Sequence, residues 1–399
     1  MEKCDALVLG GATVGAAAAL ALDQLGLRVT VVDRDGAREL ADDAALDPRV
    51  VAISPGSRQL IEVIGAWRHV RGGRVAAYHD MQVMSGRGQV EFAAAEHGLP
   101  ALGWIIELAE LDRALWRELA ARHRIDARAP AEAESIECGA DAVRVRLADG
   151  HALEASMLLG ADGRDSRVRT AAGIGQTTHH YNQRAIVCHL TTDKLNPGIA
   201  WQRFTALGPL ALLPLPEGRS SLVWSVHDDE AERLLALDDD AFAEALNRAA
   251  EGSPMGPVEA LEQRHAYPLI RCQSDTLAAG RVALLGDAAR SVHPLAGQGL
   301  NLGLGDVAAL VAILAEWPRR QDPSKWLARY ARRRGSDSRL VAGGIHWINE
   351  ARATGDLGRH GMGAAFLLMG RSRGARDLFV QRACGVREMQ PALERLEAA

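Results

Sequence analysis

The first part of the chain alternates between short apolar runs and a longer segment with helical spacing. Residues 5–10 and 28–33 are apolar runs of strand length, and residues 15–26 between them are rich in alanine and leucine. A helix that links two buried strands forms a βαβ unit, in which the strands are parallel and the helix covers one face of the sheet. The pattern therefore predicts a parallel sheet at the start of the chain.

Beyond this unit the spacing of apolar residues changes several times. Residues 36–50 are polar and predict a loop, whereas residues 57–67 and 110–122 have apolar side chains at helical spacing. Residues 142–159 contain two alternating runs, which predict a hairpin that returns to a buried strand.

The second half of the chain begins with strand-forming runs and ends with helices. Residues 185–227 contain several such runs separated by turn residues, a pattern that predicts an antiparallel sheet. Residues 281–287 predict another buried parallel strand, residues 299–315 a helix, and residues 325–397 further helices rich in arginine and glycine. Because strands of the parallel type occur on both sides of the antiparallel part, we expect two domains that are interleaved in sequence.

Composition narrows the class of protein. The chain has 399 residues and a net charge of −5, with its 46 lysines and arginines dispersed, so it does not resemble a nucleic-acid-binding protein. Its five cysteines are scattered and include no C-x-x-C pair, which favours reduced thiols in a cytoplasm. We find no signal-peptide pattern and no apolar run long enough to cross a bilayer.

The turn between the first strand and the first helix has the spacing of a dinucleotide-binding motif. In the pattern G-x-G-x-x-G, Gly10 and Gly15 occupy the first and third positions, and Ala12 occupies the second. The N-terminus of a helix can hold a pyrophosphate, and Asp33 at the end of the second strand can bind ribose hydroxyl groups. The methyl group of Ala12 would cost about 1–3 kcal/mol if it crowds the phosphates. We therefore expect a dinucleotide site whose affinity Ala12 weakens but does not abolish.

Two later segments also place glycine and aspartate at the end of a strand. In "LLGADGRDSRV" at 158–168, Asp162 and Gly163 follow a strand, and Asp162 taken alone is better explained as a helix cap. Another strand ends at Asp287, which can bind a hydroxyl of a polar chain, and the glycine-rich loop 293–303 follows. Backbone N–H groups at the start of the next helix can stabilise negative charge on a flat ring system.

These three motifs, in this order and spacing, resemble those of the FAD-dependent class A aromatic hydroxylases, the p-hydroxybenzoate hydroxylase-like flavoproteins. The resemblance is closest to the ubiquinone-biosynthesis hydroxylases. The segment "HPLAGQGLNLGLGDV" at 293–307 is nearly the signature of that subfamily, and "DPRVVAIS" at 47–54 and "GPLALLPL" at 208–215 also match. The resemblance covers residues 4–335.

The resemblance implies an α/β fold. A Rossmann-like FAD-binding domain with a parallel sheet would be interleaved with an antiparallel-sheet (α+β) substrate domain and followed by a helical C-terminus. We expect the FAD-binding domain to comprise residues 1–76, 101–176 and 273–320, the substrate domain residues 77–100 and 177–272, and the C-terminal helical region residues 321–399.

The resemblance also implies which residues hold the cofactor. The expected FAD-binding residues are Gly10, Gly11, Ala12, Gly15, Asp33, Arg34, Arg49, Asp162, Gly163, Gly286, Asp287, Pro294, Gly297, Gln298, Gly299, Leu300 and Asn301. We assign no catalytic residue; His293 and Pro294 are candidates because they lie in the flavin loop, and we expect no metal site. Ala12 departs from the family's pattern, and so does Leu108, since the subfamily tends to have Glu-Asn where this chain has Glu107-Leu108.

The function implied by the resemblance is the hydroxylation of an aromatic ring. NAD(P)H, a transient co-substrate, would reduce bound FAD, and O₂ would form a flavin C4a-hydroperoxide that hydroxylates a polyprenylated ubiquinone precursor. Two alternatives stay open. In the first, the protein hydroxylates a soluble aromatic compound. In the second, it is a degenerate flavoprotein that serves as a non-catalytic subunit of a ubiquinone-biosynthesis complex.

Several side chains have two interpretations at this stage. Trp201, Phe204 and Trp224 either form the wall of a substrate pocket or belong to the core, and Arg203 is better explained as a solvated or ion-paired residue than as a substrate clamp. Residues 361–387 mix apolar and cationic side chains, so they either contact the inner face of a membrane peripherally or pack on the FAD-binding domain.

Overall fold

The computed structural model describes residues 1–36, 40–86, 88–292, 298–319, 321–335 and 356–399. The strands, numbered along the chain, are β1 (Glu2–Leu9), β2 (Val29–Val32), β3 (Val50–Ile53), β4 (Val75–Tyr78), β5 (Asp80–Ser85), β6 (Gly88–Ala93), β7 (Gly103–Glu107), β8 (Ile125–Arg128), β9 (Ala133–Cys138), β10 (Val143–Leu147), β11 (Ala152–Gly160), β12 (Gln176–Thr192), β13 (Ile199–Phe204), β14 (Pro209–Pro214), β15 (Ser220–His227), β16 (Val258–Leu261), β17 (His265–Ser274), β18 (Ala278–Ala279), β19 (Val282–Leu284) and β20 (Arg290–Ser291). The α-helices are α1 (Thr13–Gln24), α2 (Pro55–Val63), α3 (Leu108–Ala120), α4 (Arg167–Ala171), α5 (Asp228–Leu235), α6 (Asp239–Ala249), α7 (Gly299–Leu314), α8 (324–335), α9 (Asp356–Arg371), α10 (Arg373–Cys384) and α11 (Val386–Glu397).

The first sheet has parallel strands at its centre. Its order is β18-β19-β11-β1-β2-β8, with β10 paired to β11 and β9 paired to β10. Strand β1 is parallel to both β2 and β11, and consecutive residues such as Leu7 and Val8 are fully buried although they point to opposite faces. Both faces of this strand must therefore be covered, as in other parallel sheets. Helix α1 packs against β1, α3 and α7.

The elements predicted for this sheet are confirmed. The βαβ unit is β1, α1 and β2, and the hairpin predicted over 142–159 is the antiparallel pair β10–β11, in which Val143 lies opposite Ala155. The strand predicted over 281–287 is β19, which is parallel to β11, and the helix predicted over 299–315 is α7. The α/β class of the fold follows from this arrangement.

The second sheet is antiparallel except for one pair. Its order is β20-β17-β12-β15-β14-β13-β5-β6, with β16 paired to β12, and only β5 and β13 are parallel among these strands. One face packs against α5 and α6 in a core that contains Trp201, Trp224 and Phe242. A third, small antiparallel sheet has the order β3-β7-β4. The exact domain boundaries given above stay a prediction.

The C-terminal helices pack on both parts of the molecule. Helix α11 contacts α2 and α7, while α9 contacts β5 and β6 of the second sheet. Helix α10 lies between them in sequence and contacts both α9 and α11. In the described parts of the chain, no helix is both long enough and apolar enough to cross a membrane.

Candidate active site

A cavity of about 610 Å³ lies between the first and second sheets. On one side it is bordered by residues that follow the carboxyl ends of parallel strands, namely Ala12 after β1, Ala161 after β11 and Gly286 after β19. On the other side it is bordered by the face of the second sheet that points away from α5 and α6. Open α/β sheets bind ligands at the carboxyl ends of their strands, so this cavity is the candidate active site.

The turn that precedes α1 requires glycine at two positions. Gly10 has a φ of +96°, and a Cβ atom there would lie 2.3 Å from the carbonyl oxygen of Ala161. A Cβ atom on Gly15 would lie 1.8 Å from the carbonyl oxygen of Gly10. Ala12 has a φ of −66° and a ψ of 179°, a conformation open to any residue, and its methyl group borders the cavity. The fold therefore needs the first and third glycines of the motif but not the second.

Asp33 holds this turn in place through backbone N–H groups. Its Oδ2 accepts a hydrogen bond of 2.6 Å from Gly11, and its Oδ1 accepts bonds from Asp35 and Gly36. The indole Nε1 of Trp116 donates to the carbonyl oxygen of Gly11 at 2.8 Å. A carboxylate has about four lone-pair sites, so Asp33 keeps capacity for one more donor such as a ribose hydroxyl.

A carboxyl group that the sequence did not reveal lies behind the first turn of α1. The hydroxyl of Thr13 donates to Oδ1 of Asp112 on α3. Burial, helped by the neighbouring carboxylate of Asp33, raises the pKa of Asp112 to about 6 even though the hydrogen bonds from Thr13 and the charge of Arg49 lower it. The N-terminus of α1 therefore has a group beside it that titrates near neutral pH.

The loop that carries Arg49 is attached to two separate elements. Arg49 borders the cavity, and two residues before it the backbone N–H of Asp47 donates to Oε2 of Glu107 at 2.7 Å. Glu107 is buried and accepts two hydrogen bonds of 2.8 Å from Arg74. From the second sheet, Nε2 of the buried His189 donates to the carbonyl oxygen of Asp47 at 3.0 Å. This loop thus joins the small sheet to the second sheet beside the cavity.

Beneath the other end of the cavity lies a buried ion cluster. Asp306 on α7 accepts hydrogen bonds from Arg290 at 2.5 Å, from Arg334 at 2.8 Å and from the backbone N–H of Gly286 at 3.1 Å. Asp287, the next residue, borders the cavity, and within the described ranges its carboxylate accepts no hydrogen bond. The cluster fixes Gly286 and leaves Asp287 available to a ligand.

The N-terminus of α7 also faces the cavity. Gln298, Gly299, Leu300 and Asn301 all border it. The side chain of Asn301 is itself part of the framework, since its Nδ2 donates to the carbonyl oxygen of Ala52 at 2.8 Å and its Oδ1 accepts from the backbone N–H of Ser54 at 2.9 Å. The candidates His293, Pro294 and Gly297 lie outside the described residues.

The expected cofactor residues fall into three groups. Those that border the cavity are Ala12, Arg49, Gly163, Gly286, Asp287, Gln298, Gly299, Leu300 and Asn301. Gly10, Gly11, Gly15 and Asp33 form the turn behind it. Asp162 caps α4, accepting hydrogen bonds from the backbone N–H groups of Arg167 at 2.7 Å and Val168 at 3.1 Å, and Arg34 is exposed beside Asp35.

The aromatic residues considered for the substrate pocket do not border the cavity. Trp201 and Trp224 are fully buried in the core beneath α5 and α6, and Phe204 packs against Phe366 on α9 with a distance of 5.9 Å between ring centroids. Arg203 donates to the carbonyl oxygen of Ala249 at 3.4 Å. Side chains alternate between the two faces of a strand, so the neighbours of the tryptophans face the cavity instead.

The groups around the cavity fit an FAD molecule. The N-termini of α1 and α7 supply backbone N–H groups for a pyrophosphate and for a ring edge with negative charge, and Asp287 is a carboxylate that lacks a partner among the described residues. Arg49 adds a cation at the same side. The opposite wall is largely apolar, as a pocket for an aromatic ring requires.

Comparisons with known proteins agree with this assignment. A family described as an FAD binding domain matches residues 3–342. The chain is 34% identical over 352 residues to the 3-demethoxyubiquinol 3-hydroxylase of Escherichia coli, covering 86% of this chain and 88% of that protein. It is 36% identical over 345 residues to the ubiquinone hydroxylase UbiL of Rhodospirillum rubrum, covering 85% and 80%. The crystal structure of p-nitrophenol 4-monooxygenase from Pseudomonas putida has the same fold, with a TM-score of 0.75, 18% identity and coverage of 98% and 99%.

Proposed function

The chain belongs to the FAD-binding domain family, and on that premise we propose that it hydroxylates the aromatic ring of a polyprenylated ubiquinone precursor with NAD(P)H and O₂. One observation carries the proposal. A single cavity has helix N-termini, Arg49 and Asp287 on one side and an apolar sheet face on the other. Such a cavity can hold a charged dinucleotide and a hydrophobic ring against each other. The two named relatives are hydroxylases of ubiquinone compounds, which supports this choice of substrate.

We propose that FAD is bound by residues from three segments. The turn at Gly10–Gly15 and Asp33 would bind the ADP half, with Arg49 close to the pyrophosphate. Gly286 and Asp287 would bind the ribityl chain, since Asp287 borders the cavity and accepts no hydrogen bond from a described residue. Residues 298–301, at the start of α7, would lie along the pyrimidine edge of the ring.

When bound, FAD supplies the redox chemistry with NAD(P)H and O₂. The protein's own groups would stabilise charge, exclude water and orient the substrate. The N–H groups at the start of α7 would stabilise negative charge on the pyrimidine edge, and the apolar face of the second sheet would exclude water from the reacting ring. Held between these two surfaces, the ring of the substrate is oriented for hydroxylation at one carbon.

We also propose that the protein contacts a membrane through helices α9 and α10. Exposed large apolar side chains on these helices are Leu367, Leu368, Leu378 and Phe379, and exposed cations on the same helices are Arg371, Arg373 and Arg382. Apolar and cationic side chains on one surface fit a lipid bilayer with anionic headgroups. Phe379 also borders the cavity, so a prenylated ring could pass from lipid into the site at this edge.

The visible absorbance spectrum, before and after addition of FAD, is the first test. Flavin bands in the purified or reconstituted protein, together with NAD(P)H oxidation and a product one oxygen atom heavier from a prenylated phenol, would support the proposal. A protein that binds FAD but oxygenates no prenylated phenol would contradict the substrate. A protein that binds no FAD at any concentration would favour the non-catalytic subunit.

Co-sedimentation with vesicles tests the membrane contact separately. We expect binding to phosphatidylglycerol vesicles that partly survives high salt, and a marked loss in the Leu368→Glu/Leu378→Glu double variant. The double variant Leu195→Glu/Leu207→Glu serves as a control, since these exposed leucines lie outside α9 and α10. Equal binding by the wild type and both double variants would contradict the assignment of this surface.

A further inference from the structure

Two buried polar side chains lie on the largely apolar face that the second sheet presents to the cavity. Gln202 on β13 and Ser225 on β15 both border the cavity, with only 8% and 3% of each residue exposed. Their surroundings on this face are alanine, valine, leucine and proline side chains, such as Ala200 and Ala211 beside Gln202. Polar groups this buried normally have a hydrogen-bond partner.

Neither side chain has such a partner among the residues that the structure describes. The amide of Gln202 and the hydroxyl of Ser225 form no hydrogen bond with any of these residues. Neither residue is among those with a fully buried polar atom that lacks a partner, so both polar groups keep surface at the cavity, where a ligand atom can replace water. Trp201 and Trp224, the residues next to them in sequence, point to the opposite face and into the core.

The register of the sheet sets the distance between the two groups. Gln202 lies opposite Ala211, and Ala211 lies opposite Val223, so Ser225 is two strands and two residues away from Gln202. With strands about 4.8 Å apart and about 3.4 Å per residue, their Cα atoms are about 12 Å apart. Two side chains that reach toward each other leave room between them for one aromatic ring with oxygen substituents.

From this arrangement we infer that Gln202 and Ser225 bind the oxygen substituents of the substrate ring and so select an oxygenated ring over a plain hydrocarbon. The inference rests on the proposed function and deepens it. A glutamine amide and a serine hydroxyl can each donate and accept, so they can bind a phenol hydroxyl or a methoxy oxygen. The prenyl tail, by contrast, would contact only apolar side chains.

Equilibrium dialysis of the FAD-reconstituted protein with 2-prenylphenol and with prenylbenzene tests this inference. The two probes differ by one ring hydroxyl, so the ratio of their Kd values isolates recognition of that oxygen. We expect the wild type to prefer the phenol by about tenfold or more, and Gln202→Leu or Ser225→Ala to remove most of that preference. Gln202→Met repeats the test with an unbranched side chain.

Ser221→Ala is the matched control. Ser221 lies on the same strand as Ser225, and its hydroxyl is buried without a hydrogen-bond partner among the described residues, but it does not border the cavity. We expect this variant to keep the wild-type ratio. Variants of Gln202 and Ser225 that bind both probes with the wild-type ratio, or bind both more weakly by the same factor, would overturn the inference while leaving the proposed function intact. A wild type that binds FAD but neither probe would overturn both.

Discussion

The Asp112→Asn variant tests whether a half-buried carboxyl group beside the dinucleotide turn limits stability at neutral pH. Asp112 accepts a hydrogen bond from Thr13 at the first residue of α1 and is half-buried against it. An asparagine keeps an oxygen that can accept the same hydrogen bond but cannot ionise. We therefore expect the variant to be more stable than the wild type at pH 8 and to lose this advantage in acid.

The magnitude follows from the raised pKa. Burial moves the pKa of Asp112 from 3.8 to about 6. At 1.36 kcal/mol per pKa unit the difference is about 3 kcal/mol, which solvent around a half-buried side chain reduces to about 1–2 kcal/mol. Between pH 3.8 and pH 6 the folded protein retains a proton that the unfolded chain has released, so the free energy of unfolding falls as pH rises through this window. Above pH 6 Asp112 is ionised in both states, so the loss in the free energy of unfolding is complete and no longer changes with pH.

Urea unfolding of the apoprotein, followed by tryptophan fluorescence from pH 4 to pH 8, measures this difference. Glu110→Gln is the control, because Glu110 lies on the same helix and its pKa is shifted in the opposite direction. Burial alone would raise the pKa of Glu110, but hydrogen bonds from Arg113 and Arg71 bring it below its ordinary value. The control should therefore be less stable than the wild type at neutral pH. A difference between Asp112→Asn and the wild type that is the same at every pH would refute the reasoning.

Three further predictions concern the cofactor side of the cavity. Ala12→Gly should tighten FAD binding by about fivefold or more if the methyl group crowds the phosphates, measured by fluorescence titration; an unchanged Kd would show that alanine is tolerated. His189→Phe should weaken FAD binding several-fold, because the Asp47 carbonyl loses its hydrogen-bond donor and the loop that carries Arg49 is held less firmly. His189→Gln keeps a donor and should restore part of the affinity. Equal losses of affinity in the two variants would contradict this role. Arg74→Met should lower the free energy of unfolding by about 3–5 kcal/mol, because Glu107 is left as an unpaired buried charge; a loss below about 1 kcal/mol in urea unfolding would contradict it.

Local spacing was sufficient to predict most of the framework. The βαβ unit, the hairpin β10–β11 and helix α7 depend on periods of 2 and 3.6 residues within short windows, and the structure contains all three. The contacts that hold the site together connect distant parts of the chain instead. Thr13 and Asp112 are 99 positions apart, and Asp47 and His189 are 142 apart. No periodicity in one sequence indicates such pairs, so they became visible only in the folded chain.

The second sheet shows a different limit. A period of 2 establishes that Trp201 and Gln202 point to opposite faces, but it does not say which face packs against other helices. The sequence left the tryptophans open between the wall of a substrate pocket and the core, and in the structure α5 and α6 cover that face and bury it. The smaller side chains of the opposite face, among them Gln202, border the cavity. The face that borders the cavity was therefore decided by helices α5 and α6, which lie between β15 and β16 in sequence.

The dinucleotide turn explains why one departure from a motif leaves the fold unchanged. Gly10 is required by its positive φ and by the approach of Ala161, and Gly15 is required by the carbonyl oxygen of Gly10. Both requirements come from the protein itself, and this chain meets both. Position 12 has an ordinary φ of −66° and borders the cavity, so its backbone does not require glycine, and a glycine there would only give a ligand more room. We therefore expect any effect of Ala12 to fall on the affinity for FAD and not on the Rossmann-like structure, so the Kd of Ala12→Gly separates a change in binding from a loss of the site.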